Sequence, residues 1–262
     1  MNIGWVGLGS IGTEMAKQAL KAGHAVTVYG RGQGLEAITA AGAAVSQSYA
    51  EIAGGCDLLG LCVFKDAQLR EVLLDGGALA AMKPGSVVVI HTTGSPALAR
   101  ELGERAPAGV AVIDATFSGG PANVIAGTLA LMIGGEDAAI AKARPLIDLY
   151  ADKLHHVGPL GHGQMLKLVN NLLFAANVQN AVEAMRMVEA QGLDVARSAR
   201  ILQDCSGGSY ASALLQHMSV DRLLTATRGY MEKDVAAAMA SARDTGLDTS
   251  AFAATEAYFR PS

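Results

Sequence analysis

The sequence has few aromatic residues, few cysteines and no concentration of positive charge. Phe, Trp and Tyr make up 5% of its 262 residues, and no basic run or platform of aromatic side chains occurs. With a formal net charge of −4, the chain lacks the basic face that binds a nucleic-acid backbone. These absences argue against nucleic acid as a partner.

The sequence also lacks metal-binding motifs and long apolar segments. The three cysteines, Cys56, Cys62 and Cys205, are too widely separated for a zinc finger, and the histidines show no HExxH spacing. We therefore expect no metal site and buried free thiols, as in a reducing cytoplasm. Since no apolar run is long enough to cross a bilayer, a cytoplasmic protein without membrane contact is predicted.

A glycine-rich turn follows the first strand pattern of the chain. Residues 2–6 are typical of a buried strand, a helix pattern then runs to Lys21, and a second strand pattern follows. The turn between strand and helix reads Gly7-Leu8-Gly9-Ser10-Ile11-Gly12. In this context GxGxxG indicates a dinucleotide site. Gly7 permits the tight turn, Gly9 lets backbone N–H groups approach a pyrophosphate, and Gly12 lets helix and strand pack closely.

The end of the second strand bears on which dinucleotide is bound. NAD sites usually place Asp or Glu about 20 residues after the glycines to bind the ribose 2′-hydroxyl, and none stands here, whereas Arg31 follows the strand. Its guanidinium can pair with the 2′-phosphate of NADP, or it is an ordinary solvated loop arginine. We favour NADP(H) and keep NAD(H) as the alternative.

Strand and helix patterns alternate as far as residue 157, which predicts an α/β fold. Repeated βα units of this kind form a doubly wound, mainly parallel Rossmann sheet with its ligand at the carboxyl ends of the strands. Gly158-Pro159 breaks the alternation, and the remaining pattern is helical. We predict a nucleotide-binding domain over residues 1–159 and an all-α domain over residues 160–262, opening with a long interdomain helix from about Gly163 to Ala190.

Two loops at predicted strand ends carry candidate binding residues. Thr93 follows the fifth strand, where it contacts the nicotinamide ribose or serves as a turn residue. Ser118-Gly119-Gly120 follows the next long strand. Its hydroxyl and unshielded N–H groups can hold a small carboxylate, although an ordinary strand–helix turn has the same composition.

The long helix carries the candidate catalytic pair. Lys167 and Asn171 lie about one turn apart and share a face. An apolar stripe lies beside them: Leu166, Val169, Leu173 and Ala176. We expect the stripe to pack and the pair to face a cleft, where a lysine withdrawn from water acts as a general acid or base. In isolation, K-x-x-x-N more often marks a surface lysine beside a solvated asparagine, so the prediction depends on the preceding motifs.

Taken in order, these motifs, followed by Lys233-Asp234, resemble the β-hydroxyacid dehydrogenase family. That family includes 3-hydroxyisobutyrate dehydrogenase, tartronate semialdehyde reductase, glyoxylate and succinic semialdehyde reductases and, more distantly, 6-phosphogluconate dehydrogenase. The resemblance covers nearly the whole chain. It implies Lys167 as the general acid/base, Asn171 as its partner on the substrate oxygen, and Ser118-Gly119-Gly120 as the carboxylate loop. The implied cofactor contacts are Gly7, Leu8, Gly9, Ser10, Ile11, Gly12, Arg31, Val63, Thr93 and Lys233.

The resemblance also implies the reaction and the assembly. It implies hydride transfer between a nicotinamide cofactor and a small β-hydroxy acid or its aldehyde or keto acid counterpart. Thr116-Phe117 replaces the family's Pro-Val, and we expect the aromatic ring to narrow the substrate pocket. Because the long helix has apolar residues on more than one face and few helices follow it, we expect a homodimer or homotetramer formed through residues beyond 160.

Three alternatives to this function remain. Imine reductases share the architecture but typically lack the lysine. A decarboxylating sugar-phosphate dehydrogenase would need basic residues for the phosphate and a larger helical domain. A non-catalytic NADP-binding sensor or scaffold would have no need of Lys167, Asn171 and Ser118 together.

Overall fold

Eight strands alternate with helices over the first part of the computed structural model, which describes residues 1–30 and 32–260. The strands are β1 (Asn2–Val6), β2 (Ala25–Tyr29), β3 (Ala44–Val45), β4 (Leu58–Leu61), β5 (Val87–Ile90), β6 (Ala111–Ser118), β7 (Leu129–Gly134) and β8 (Ala151–Gly158). They form one sheet in the order β3-β2-β1-β4-β5-β6-β7-β8. The predicted Rossmann-type sheet is thereby confirmed.

Every neighbouring pair of strands is parallel except β6 and β7, which are antiparallel. The strand patterns did not predict this reversal. Residues 119–128 join the two strands, and they are fewer than the roughly dozen residues that a parallel crossover needs. The short connection therefore returns the chain antiparallel and keeps the end of β6 next to the start of β7.

Helices cover both faces of the sheet. They are α1 (Ser10–Lys21), α2 (Gln33–Ala40), α3 (Tyr49–Gly55), α4 (Asp66–Arg70), α5 (Ala78–Ala81), α6 (Pro96–Glu104), α7 (Pro121–Ala126) and α8 (Asp137–Ile147). Met15 of α1 and Leu146 of α8 belong to one buried core, and Ile52 of α3 and Leu98 of α6 belong to the other. The alternating strands thus bury side chains on both faces, as a doubly wound sheet requires.

A second compact unit, Leu168–Ser262, follows the first, Met1–Lys167. Its helices are α9 (His162–Ala190, which begins in the first unit), α10 (Val195–Gln203), α11 (Tyr210–Leu214), α12 (Val220–Asp244) and α13 (Ala253–Tyr258). The described part of this unit contains no strand, in agreement with the predicted helical region. None of the described helices is both long and apolar enough to cross a membrane.

Helix α9 buries a different face from the one predicted. Leu168, Leu172 and Val178 lie in the core of the helical unit. The predicted stripe is exposed instead: Leu166 by 42%, Val169 by 45% and Leu173 by 52%. Two apolar stripes run along this helix, and its periodicity alone does not tell which of them faces the rest of the chain.

The three cysteines do not share one environment. Cys56 is buried, and burial raises the pKa of its thiol to about 11. Cys62 is half-buried. Cys205 is exposed, contrary to the expectation of buried thiols, because it lies in the loop between α10 and α11.

A buried histidine, His91, follows β5 and contacts residues from three other segments of the chain. Its Nδ1–H donates to the carbonyl of Ala115 at 2.6 Å, and its Nε2 accepts from the hydroxyl of Tyr150 at 2.9 Å. The ring also stacks on Trp5, with 5.7 Å between centroids. Burial lowers the pKa of His91 to about 4, so the imidazole is neutral at neutral pH.

We expect His91 to make the free energy of unfolding depend on pH. Its stabilising contribution is fully present above its ordinary pKa of 6.5 and is lost as the pH falls towards 4, because only the unfolded chain takes up the proton in that range. A shift of this size corresponds to about 3 kcal/mol. When the pH falls from about 7 to about 4, the free energy of unfolding of His91→Gln should therefore decrease by about 3 kcal/mol less than that of the wild type.

Urea unfolding at a series of pH values measures this difference. The matched control is His217→Gln, at an exposed position, which should follow the wild-type curve. Parallel pH curves for the wild type and His91→Gln would contradict the assignment of this pH dependence to His91.

Candidate active site

The glycine-rich loop between β1 and α1 has the geometry of a phosphate cradle. Gly7 has φ +101°, and a Cβ there would collide with the carbonyl of Cys62. A Cβ on Gly12 would overlap the carbonyl of Gly7, whereas one on Gly9 would meet nothing within 4 Å. Two glycines thus permit close backbone packing and the third faces open space. The loop fits the pyrophosphate of a dinucleotide at the start of α1.

The loops after β4 and β5 lie side by side at the same edge of the sheet. The N–H of Val63 donates to the hydroxyl of Thr92 at 3.0 Å. Thr93, next in the chain, is half-buried, and Phe64 is 57% exposed. The structure therefore places two predicted cofactor contacts, Val63 and Thr93, on neighbouring loops at the carboxyl ends of parallel strands.

Side chains alternate across β6 and separate two sets of residues. Asp114, Thr116 and Ser118 share one face, and Ala115 and Phe117 share the other, where both pack against the buried core. Phe117 therefore lies on the opposite face from Ser118. The expectation that its ring narrows the substrate pocket is not supported, because the strand alternation turns it into the core.

The Ser118-Gly119-Gly120 loop keeps only part of the binding capacity predicted for it. Ser118 is exposed, and Gly119 has φ +129° and approaches Leu129 too closely for a side chain. The N–H of Gly120, however, donates to Oδ1 of Asn123 at 3.0 Å. The N–H of Gly120, one of those predicted to bind a carboxylate, is thus already hydrogen-bonded to a side chain at the start of α7.

Lys167 lies near the start of α9, on a part of the helix that is fixed to β6. Its side chain is buried, with 8% of the residue exposed. Asp114, also buried, accepts hydrogen bonds from the N–H groups of Gly161 (2.7 Å) and Gln164 (2.5 Å). Burial raises the pKa of Asp114 and these two N–H groups oppose that rise. The first turn of the lysine-bearing helix is therefore capped by a carboxylate from the sheet.

Asn171, one turn further along α9, belongs to a buried polar group in the helical unit. Its Nδ2 donates to Asp234 at 2.6 Å, and its Oδ1 accepts from Asn170 at 3.0 Å. The ammonium of Lys233 pairs with the other oxygen of Asp234 at 2.6 Å. Asp234 is 3% exposed and therefore orients both predicted residues, Asn171 and Lys233, from within the same unit.

The sequence prediction assigned no role to Asp234, Asp114 or Gln164. Asp234 adjoins Lys233, and a carboxylate next to a site lysine was an available signal. Asp114 ends a strand pattern, and Gln164 lies three residues before the lysine on the same helix. Among the described residues, no group of three or more His, Cys, Asp or Glu side chains could hold a metal ion.

Comparison with known families decides the relationship of the chain. Residues 2–158 match the family described as the NAD binding domain of 6-phosphogluconate dehydrogenase. Residues 161–261 match the family described as the NAD-binding of NADP-dependent 3-hydroxyisobutyrate dehydrogenase. The chain belongs to the β-hydroxyacid dehydrogenase family.

Individual relatives agree with this family. The chain is 37% identical over 213 residues to an NAD-dependent L-serine dehydrogenase of Pseudomonas aeruginosa, a match covering 80% of this chain and 71% of the relative. It is 30% identical over 254 residues to a 3-hydroxyisobutyrate dehydrogenase of the same organism, covering 92% and 85%. A 3-hydroxyisobutyrate dehydrogenase of Mycobacterium tuberculosis, solved with L-serine, superposes with a TM-score of 0.86 at 26% identity, covering 98% and 92%.

The predicted enzyme class is confirmed. Like its named relatives, this member of the β-hydroxyacid dehydrogenase family is an NAD(P)-dependent hydroxyacid dehydrogenase, and its cofactor is a nicotinamide dinucleotide. Arg31, on which the choice between the two dinucleotides was predicted to depend, lies outside the described residues. Gly32 beside it has φ +74° and begins the turn into α2 without a side chain for a phosphate.

Proposed function

We propose that this β-hydroxyacid dehydrogenase transfers a hydride between NADP(H) and a small β-hydroxy acid or its aldehyde or keto acid counterpart. Lys167 is the general acid/base. The observation that carries the proposal is the burial of Lys167, with 8% of the residue exposed, one turn before Asn171, which is also buried. Lysine is rarely buried without a specific partner or task, and both residues occupy motif positions of the family.

Each residue has a distinct task in the proposed reaction. The glycine-rich loop, Val63 and Thr93 hold the cofactor, which when bound accepts or supplies the hydride. Ser118 donates its hydroxyl hydrogen to the substrate carboxylate. Asn171 binds the reacting oxygen, with its carboxamide oriented by Asp234.

Lys167 moves the proton in this scheme. In oxidation its neutral amine takes the proton of the substrate hydroxyl, and in reduction its ammonium returns that proton to the nascent alkoxide. The positive charge also stabilises the developing oxyanion. Both directions therefore use one side chain, and no other acid is required.

Two reported relatives suggest where to look for the substrate. One is named for L-serine and another was solved with L-serine, a small acid whose hydroxyl lies on the β-carbon. 3-Hydroxyisobutyrate has the same carboxylate and primary β-alcohol. A carboxylate and a β-hydroxyl on one short chain are the features that Ser118, Asn171 and Lys167 would recognise.

Nicotinamide absorbance with a panel of small acids tests the proposed function. L-Serine and 3-hydroxyisobutyrate should reduce the oxidised cofactor, whereas analogues without the β-hydroxyl should not. Analogues without the carboxylate should react with a strongly raised KM, because the interaction with Ser118 is lost. Absence of turnover with every β-hydroxy acid, and with their aldehydes in the reverse direction, would refute the proposal.

The preference for NADP rests on Arg31 and on the lack of an acidic residue after β2. We expect a higher kcat/KM with NADPH than with NADH. Arg31→Ala should lower kcat/KM for NADPH about 10-fold or more and leave that for NADH nearly unchanged, because a charge-assisted contact is worth about 1.5–3 kcal/mol. The matched control is Arg186→Ala, an exposed arginine paired with Glu183 on α9. Equal or better use of NADH by the wild type would contradict the preference.

A further inference from the structure

The side chain of Gln164 joins the first turn of α9 to the loop after β5. Its Oε1 accepts from the N–H of Gly94 at 2.8 Å, and its Nε2 donates to the carbonyl of Thr92 at 2.7 Å. These two backbone groups flank Thr93 on either side. Gln164 is 1% exposed, so water does not replace either bond at low cost.

The helix end of this connection is held against the sheet. Asp114 caps the N–H groups of Gly161 and Gln164, and the hydroxyl of Thr116 donates to the carbonyl of Gly163 at 3.0 Å. A Cβ on Gly163 would lie 2.5 Å from the carbonyl of Met132. The first turn of α9 is therefore packed closely against β6 and β7.

The loop end is held from its other side. Thr92 accepts through its hydroxyl from the N–H of Val63, and the carboxylate of Asp66 accepts from the N–H of Ser95 at 3.0 Å. Thr92 and Ser95 are therefore hydrogen-bonded to the segment that follows β4. The carboxamide of Gln164 lies between these loops and the first turn of α9. Its oxygen accepts from one backbone N–H of the loop after β5, and its nitrogen donates to one backbone carbonyl of the same loop.

We infer that Gln164 is a positioning residue that holds the Thr93 loop in register with Lys167, three residues further along α9. The inference rests on the proposed function, in which Thr93 contacts the cofactor and Lys167 the substrate. Reacting groups must be aligned closely, and a displacement of about 1 Å can cost about 100-fold in rate. Loss of the connection should therefore lower kcat more than it weakens the binding of either ligand.

Gln164→Glu gives the sharpest test, because it makes the connection depend on pH. An ionised carboxylate can accept from Gly94 but places a second oxygen against the carbonyl of Thr92. Once protonated, it donates to that carbonyl and restores both bonds. Near pH 8, the kcat of Gln164→Glu should be at least about 10-fold lower than that of the wild type. Near pH 5, the two kcat values should differ by no more than about threefold.

Two further variants separate positioning from folding. Gln164→Met, which is similar in volume but makes neither bond, should lower kcat about 10- to 100-fold at every pH and enlarge the primary deuterium isotope effect as hydride transfer becomes slower. Gln203→Glu is the matched control, a half-buried glutamine that donates to Ser209 and Ser212 in the helical unit. The ratio of its kcat to that of the wild type should not vary with pH. Circular dichroism at each pH establishes that the assayed protein is folded.

The inference would be overturned by a pH-independent ratio for folded Gln164→Glu, or by near-wild-type kcat in Gln164→Met. If Gln164→Glu unfolds near pH 8, the Gln164→Met result decides. Failure of the proposed function is distinguishable, because the wild type would then turn over no β-hydroxy acid. In that case hydrogen exchange still tests the connection. The Gly94 amide should exchange at least about 10-fold faster in Gln164→Met than in the wild type, and equal rates would exclude the connection.

Discussion

Replacing Lys167 with Ala should lower kcat about 1,000-fold, with little change in the affinity for the nicotinamide cofactor. Proton transfer by a positioned side chain contributes about 100- to 10,000-fold, and loss of the ammonium also removes a charge that stabilises the alkoxide. Both effects arise in the transition state, so they appear in kcat rather than in ground-state binding. Steady-state kinetics and fluorescence titration with the reduced cofactor measure the two quantities separately.

Two further variants identify what Lys167 contributes. Lys167→Arg keeps the positive charge but can neither take up nor release a proton, so it should remain strongly impaired in both oxidation and reduction, which pass through the same transition state. Lys153→Ala removes an exposed lysine from β8, with a side chain 63% exposed, and should leave kcat unchanged. Near-full turnover by Lys167→Ala would remove Lys167 from the mechanism and leave the buried ammonium with a structural role.

Local sequence patterns predicted the parts of the molecule that depend on neighbouring residues. The glycine-rich turn and the long helix α9 formed as expected, because their signals lie within a few residues of one another. A local signal of the same kind acts at the start of α6, where Ser95 accepts from the N–H groups of Ala97 and Leu98. The order of such elements was sufficient to predict a mainly parallel sheet, but not the antiparallel pairing of β6 with β7.

Contacts between distant residues could not be predicted in the same way. Asn171 and Asp234 are 63 residues apart, and Gly94 and Gln164 are 70 residues apart. No periodicity relates these pairs, and each becomes visible only when the elements are packed together. The pairs that the patterns missed are therefore those that orient the candidate catalytic residues rather than those that build the fold.

The hydrogen bond from Gly120 to Asn123 is local, but the composition of the loop did not predict it. The sequence Ser118-Gly119-Gly120 indicates unshielded N–H groups, but the side chain that takes one of them comes from the first turn of α7. Composition predicts how many donors a loop contains. It does not predict which of them remain available once the next helix begins.

The exposed stripe of α9, Leu166, Val169 and Leu173, leads to the second large expected effect. Three apolar side chains at helical spacing, each between 42% and 52% exposed, form a continuous apolar surface that water solvates poorly. We propose that a second copy of the chain covers it. A two-fold dimer is the commonest soluble assembly, and both copies contribute the same stripe to its interface. Light scattering at micromolar concentration should then give about twice the chain mass of 26.8 kDa.

Leu173→Glu tests whether this stripe is the interface. Burying one leucine is worth about 1.5–3 kcal/mol, and a two-fold interface loses two of them while gaining two buried carboxylates. We expect the dimer dissociation constant to rise at least about 100-fold, so that the variant is monomeric where the wild type is dimeric. The matched control is Leu247→Glu, at a position 65% exposed, which should leave the dimer intact. A monomeric wild type, or a Leu173→Glu variant that dimerises as tightly as the wild type, would show that no second copy covers this stripe.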